Sequence, residues 1–223
     1  MSQPTRQTAG GRAYLDLQNR ARREGRTRQE LLILYVLECW LARLAASPSA
    51  GTFVLRGGML LAALDARQPT ADVDLLARHL ANAERTVAGR VREIAQITLR
   101  DDDGVDYLQE TTTEQAIREE DCYAGVRIGM DCRISTAEVK LKLDINFGDP
   151  VTAEPRTLLL PSQRIGHPAV PVLGYPIETV LAEKICTAIV LGEANTRVRD
   201  YADVHMLTGK HPLSRAAVRA ALD

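Results

Sequence analysis

Aromatic residues are scarce in this sequence: two Phe, one Trp and six Tyr among 223 residues. Its core must therefore be mostly aliphatic. Cysteine is equally sparse. Cys39, Cys122, Cys132 and Cys186 form no C-x-x-C pair and have no histidine at ligand spacing. That pattern argues against a structural zinc site or a disulfide framework, and implies reduced, mostly buried thiols of a cytosolic protein. No apolar run reaches the ~20 residues that a bilayer span requires. The longest, Leu31 to Leu37, stops at Glu38, and Met1 to Gly11 is polar with no apolar segment behind it. A signal peptide and a membrane anchor are thus not expected, and a cytoplasmic location is. Lysine occurs only at positions 140, 142, 184 and 210, so nearly every cation is Arg.

A net charge of −1 points neither toward nor away from nucleic acid, but its distribution is uneven. Met1 to Glu30 carries seven Arg against Asp16, Glu24 and Glu30. This basic arm can meet phosphates, or it can be a solvated helix face. Asp101 to Asp121 carries nine acids against Arg118, as a mobile loop or an exposed hairpin would.

There is no repeat, heptad run or low-complexity linker. Gly25 to Thr27 separates an Arg-rich first helix from a second over Arg28 to Ala46, which Ser47-Pro48-Ser49-Ala50-Gly51 ends. Thr52 to Leu55 reads as a buried strand, Gly57-Gly58 as a turn, Met59 to Leu64 as a helix start and Pro69-Thr70 as another turn. Asp72 to Leu76 reads as a second strand and Ala81 to Ile97 as a helix. Val126 to Ile134 and Glu138 to Phe147 look extended, with Val139, Leu141, Leu143 and Ile145 alternating against Lys140, Lys142, Asp144 and Asn146. Thr157 to Leu160 reads as one more strand, followed by helices over Pro176 to Leu191, Arg197 to Leu207 and Pro212 to Leu222. The expected fold class is α/β (α+β): a mixed sheet with flanking helices, then a helical C-terminal part.

Five features carry chemistry. Asp72 and Asp74 are two apart on a strand and so share a face. Two adjacent carboxylates repel unless a cation lies between them, and Mg²⁺ takes one or two carboxylates plus substrate phosphates. Gly57-Gly58, after a strand and before a helix, lets backbone N–H groups approach a phosphate. Asp144, on the polar face of its strand, is a third metal ligand, an activator of an attacking hydroxyl, or a surface acid paired with Lys142. Lys184 falls within the apolar stripe of its helix beside Ile177, Val180 and Ala188, and must snorkel, pair or reach a cleft. Asp200 lies on the apolar side of the next helix, as an ion-pair partner of Lys184 or Arg199 or as part of the same cleft.

Leu55-Arg56-Gly57-Gly58, Arg67, Thr70 and Asp72-Val73-Asp74 resemble the first motif of the AbiEii/MenT toxin family, within the DNA polymerase β-like nucleotidyltransferases. Lys142-Leu143-Asp144-Ile145 is similar to its second motif and Glu183-Lys184 to its third. Arg197-Val198-Arg199-Asp200-Tyr201-Ala202-Asp203 is similar to its fourth. The resemblance implies N-terminal helices over 1–50, a polymerase-β-like mixed-sheet core over 51–165 and a helical part over 166–223. It further implies a Mg²⁺- or Mn²⁺-dependent enzyme held on Asp72, Asp74 and Asp144, with Arg56, Gly57, Gly58 and Lys184 on the nucleoside triphosphate. Asp200 is then an essential acid near the acceptor hydroxyl. Met59 and Leu60 follow the glycines where the family often has Ser or Thr, which leaves the phosphate to backbone N–H groups. The function implied is that of a toxin adding a nucleotide, a pyrimidine ahead of a purine, to the 3′ end of tRNA under control of a cognate antitoxin. A monomer is the default. The same site would also serve a protein or small-molecule hydroxyl, and a binding module without catalysis is the remaining reading.

Overall fold

A computed structural model describes residues 3–64, 70–118, 124–148, 154–192 and 196–222. Arg67, Pro69, Cys122 and the acids at 119–121 lie outside them. The element order is α1 (Ala9–Glu24), α2 (Arg28–Ala46), β1 (Phe53–Arg56), α3 (Gly57–Ala63), β2 (Val73–Ala77), α4 (Glu84–Ala95), β3 (Val105–Arg118), β4 (Ala124–Ile134), β5 (Ala137–Phe147), β6 (Arg156–Leu160), β7 (Val170–Gly174), α5 (Ile177–Leu191), α6 (Val198–Lys210) and α7 (Arg215–Leu222).

The strands form one sheet in the order β3-β4-β5-β2-β1-β7-β6. Pairing of β2 with β5 and of β1 with β7 is parallel, and the other neighbours are antiparallel. The mixed sheet matches expectation. One of its strands, β7, was not anticipated, and another, β3, decides between the two readings of the acidic segment. Residues 105–118 of the acidic segment are the edge strand β3, which makes them one arm of the hairpin with β4 and not a mobile loop. Within the segment read as helical, residues 170–174 return to the sheet as β7 beside β1.

The helix α2 spans the residues that its pattern predicted. Thr27 caps it by accepting the Glu30 N–H. Its side chains are buried nearly all round, from Leu31 through Leu44, because α1, α4 and the sheet all pack against it. The core is aliphatic, with Trp40 edge-on to Phe53 at 6.3 Å as its aromatic centre.

Two buried polar contacts tie the layers together. Arg43 of α2 forms a two-armed ion pair with Asp103 ahead of β3, and its guanidinium lies 4.9 Å from the Tyr107 ring centre. Glu38, inside α2, accepts hydrogen bonds from the Ser162 hydroxyl and the Gln163 N–H, each at 2.6 Å. Burial raises the Glu38 pKa despite these donors. Part of the basic arm is consumed in ion pairs nearer the surface: Arg20 pairs with Glu24, Arg26 with Glu30, and Asp16 with both Arg6 and Arg164. Cys39 and Cys132 are buried as expected, whereas Cys186 is exposed. Among the described residues, no helix is long and apolar enough to cross a membrane.

Candidate active site

The sheet register assembles the first group of side chains. Antiparallel pairing sets Arg56 of β1 opposite Asp74 of β2, and parallel pairing sets Asp74 beside Asp144 of β5. Asp74 thus has an arginine on one side and a carboxylate on the other. Asp72 lies just ahead of β2, one residue outside the strand in which it was expected, and its Oδ1 accepts a 2.7 Å hydrogen bond from the Thr70 hydroxyl.

The glycine turn explains itself by contact. Gly57 has φ +62°, and a Cβ there would stand 1.9 Å from Asp74 Oδ2. At Gly58 a Cβ would meet the Thr70 Cβ at 2.7 Å. Both glycines are needed because the acid-bearing segment packs directly on the turn. The Gly58 N–H also donates to the Asp74 carboxylate. Burial, followed by the nearby charges of Asp72 and Asp144, pushes Asp74 up to about 6 from 3.8, against the pull of Arg56 and Gly58.

Asp144 is not paired with Lys142. Directly across the β4–β5 ladder stands Arg127, whose Nε and Nη2 donate to the two carboxylate oxygens at 2.8 and 2.6 Å. Among the described residues, no three His, Cys, Asp or Glu side chains form a ready-made metal-ligand group. The residues nevertheless fit a cation that needs few protein ligands. Asp74 is a half-buried carboxylate destabilised by two carboxylate neighbours, and Mg²⁺ is commonly held by one or two carboxylates with phosphates completing its shell.

A second group sits on the C-terminal helices. Lys184 of α5 lies 2.6 Å from Asp200 and 2.8 Å from Asp203, both on α6. Asp203 is the more deeply buried of the two. The stripe position of Lys184 is therefore explained by an interhelical ion triad, with Lys184 rather than Arg199 as the partner of Asp200. The neighbouring Glu183 joins the two groups. It lies 3.3 Å from Arg56, whose guanidinium also covers the ring of the buried Tyr175 at 5.5 Å. Burial raises the Glu183 pKa, Arg56 and Lys184 oppose the rise, and Asp74 adds to it. The charge sequence thus runs Asp144, Asp74, Arg56, Glu183, Lys184, Asp200.

Two hollows open on this chain of charges. One, of about 650 Å³, has Asp72 and Asp144 in its wall. The other, about 380 Å³, lies between α5 and α6, lined by Lys184, Asp200 and Tyr201. Arg127, Glu183 and Asp203 were not singled out as site residues from the sequence. For Glu183 and Asp203 the available signal was a carboxylate next to a lysine or within a short acidic helix turn. For Arg127 there was none, since its role depends on register.

A mixed sheet with one acid on a strand, a second just ahead of it, a third on the parallel neighbour and a glycine turn beside them is the arrangement of a nucleotidyltransferase fold. Residues 40–223 match the family described as "Nucleotidyl transferase AbiEii toxin, Type IV TA system", and this chain belongs to that family. Its fold is similar to that of JHP933 from Helicobacter pylori, with a TM-score of 0.54 and 19% identity, covering 83% of this chain and 68% of that one. It is also similar to a proposed nucleotidyltransferase from H. pylori, with a TM-score of 0.52 and 20% identity, covering 83% and 70%. No curated protein matches.

Proposed function

We propose that this toxin-family transferase moves a nucleoside monophosphate, a pyrimidine nucleotide first among candidates, from a nucleoside triphosphate to the 3′ end of tRNA. The observation that carries the reading is the Asp74 carboxyl, lodged against Gly57 and flanked by Asp72 and Asp144. A fold keeps such a mutually repelling group only at a cost, and a divalent cation with a triphosphate offsets it.

In this reading Asp72 and Asp74 hold Mg²⁺ or Mn²⁺, and Asp144 is the third ligand or the acceptor of the attacking hydroxyl's proton. When bound, the metal supplies charge neutralisation at the transferring phosphoryl group. Arg56 and the backbone at Gly57 and Gly58 flank the triphosphate. Lys184 contributes a compact positive charge to it. Asp200 and Asp203 hold the Lys184 ammonium from two sides, so both serve as positioning residues, which revises the acid role expected for Asp200. The acceptor's 3′-oxygen bonds to the α-phosphorus, the bond from that phosphorus to the bridging oxygen breaks, and pyrophosphate leaves. The hydroxyl proton passes to the carboxylate group. Positioning and charge neutralisation do most of the catalytic work.

As a member of a type IV toxin–antitoxin family, the chain is expected to act under a cognate antitoxin in the cytoplasm. The division into 1–50, 51–165 and 166–223 is retained as a functional proposal, with the nucleotide between the last two segments. The test is transfer of each α-³²P-labelled NTP to total bacterial tRNA, with Asp72→Ala and Lys184→Ala as controls. The expected result is label on tRNA from one pyrimidine nucleotide, lost in both variants. Label on protein or a small molecule and never on RNA would refute the tRNA assignment.

A further inference from the structure

The hollow in front of Asp72 and Asp144 continues away from the acid group along the sheet. On β5, Lys140, Lys142 and Asp144 alternate with buried Leu141 and Leu143, so the three polar side chains share the face not covered by the core. The β4 register places Arg127 across from Asp144, Gly129 across from Lys142 and Asp131 across from Lys140, and β3 adds Thr113 beside Gly129. Gly129 forms the floor. A Cβ there would stand 2.7 Å from Thr113 Oγ1 and 3.2 Å from Lys140 Cε, so its absence leaves the trough open between two strands. Asp131 lies 3.7 Å from Lys140, and Glu114 also lines the trough. Lys142 makes no ion pair among the described residues.

We infer that this trough seats the single-stranded 3′ end of the acceptor RNA. The terminal hydroxyl lies at the Asp72–Asp144 end, and the preceding phosphates lie over Lys142 and Lys140. The inference rests on the RNA-transfer reading given above. Three features select a polynucleotide end over an acidic peptide. Lys140 and Lys142 stand two residues apart, about 7 Å along the strand, a spacing suited to successive phosphates of an extended polyanion. Apart from the charged residues, the walls are hydroxyl, amide and glycine, with Ile128 the one hydrophobic residue among those that line the trough. The inner end is a cluster of carboxylates, which repels an acidic peptide but receives a hydroxyl. At about 650 Å³ the trough has the size of a small-ligand pocket, ~300–1,000 Å³, and takes a short single strand and not a duplex.

The test uses the full chain in EDTA, so that no metal contributes. Its probe is a fluorescent RNA hairpin with a four-nucleotide 3′ overhang, followed by anisotropy across a salt series. Each phosphate contact on single-stranded nucleic acid contributes about 0.7 to the log–log salt slope. The double variant Lys140→Gln/Lys142→Gln is therefore expected to lose about 1.4 from the slope and to bind about 25-fold more weakly at 0.1 M salt. Wild type and variant should converge near 1 M, which a folding defect would not produce. Lys142→Arg should retain the wild-type slope, and a blunt hairpin should show no difference between wild type and variant. An unchanged slope in the double variant overturns the trough. If wild type still labels the same RNA with nucleotide in that case, only the trough is lost. If wild type labels protein and no RNA, the trough and the RNA reading fall together.

Discussion

Replacing Asp74 by Asn removes a charge that the folded chain holds at a cost. Asn is nearly the same size, and its side-chain oxygen still accepts the Gly58 N–H. Folding raises the Asp74 pKa from 3.8 to about 6, so the native state takes up a proton more readily than the unfolded one. The resulting penalty is small below about pH 4, grows as pH rises, and is complete above about pH 6. With about 1.4 kcal/mol for each tenfold change in proton affinity, it amounts to ~2–3 kcal/mol at pH 7.5. Asp74→Asn should therefore stabilise the metal-free protein by that amount, raising Tm by about 5–10 °C at this chain length. The assay is thermal or urea denaturation in EDTA at pH 7.5 and pH 4.5. The advantage of the variant should shrink by about two-thirds at the lower pH. Mg²⁺ should stabilise the wild type and leave the variant nearly unchanged, while the variant loses nucleotide transfer. A variant no more stable than wild type at pH 7.5, or an advantage independent of pH, would refute the reasoning.

Gly57→Ala should cost about 1–2 kcal/mol for a left-handed backbone with a side chain, and should displace the Asp74 carboxyl. Circular dichroism should then show a folded protein whose transfer activity is gone. Asp103→Ala leaves the buried Arg43 guanidinium without its carboxylate, and urea unfolding should show a loss of ~3–5 kcal/mol. Lys184→Met leaves Asp200 and Asp203 facing each other and should destabilise by a similar ~3 kcal/mol. Adding Asp203→Asn should recover much of that stability, while transfer stays absent in both. Recovery of transfer in the double variant would remove Lys184 from the triphosphate site.

Whether an element could be read from the chain tracks how local its determinants are. The second helix has an N-cap Thr27 and a Pro/Gly-containing terminator, and it forms over the residues expected. The β5 strand shows strict alternation and is buried on the face predicted. By contrast, β7 is five residues long and contains Pro171, so nothing in its composition announces a strand. It forms by pairing between distant segments, antiparallel along its whole length with β6 and parallel with β1 at Gly174. The edge strand β3 is polar over most of its length and its register shifts between Leu108 and Thr113, so its pairing with β4 supplies what its own sequence does not.

The candidate site divides along the same line. Asp72, Asp74, the glycine pair, Lys184 and Asp200 could be picked out from the sequence because their chemistry is unusual for their local pattern: an acid pair entering a strand, glycines opening a helix, a lysine in an apolar stripe. What these residues touch was decided only in three dimensions. The register of β2 on β5 puts Asp74 against Asp144, and the register of β4 on β5 gives Asp144 to Arg127 instead of Lys142. The crossing of α5 and α6 places Lys184 between two acids, and an ion pair from Arg56 to Glu183 links the sheet to those helices. Local pattern determines which side chains are costly to fold without a purpose. Pairing between distant segments determines which charge each of them meets, because strand register and helix crossing are set by the packing of the whole core and not by any one stretch of chain.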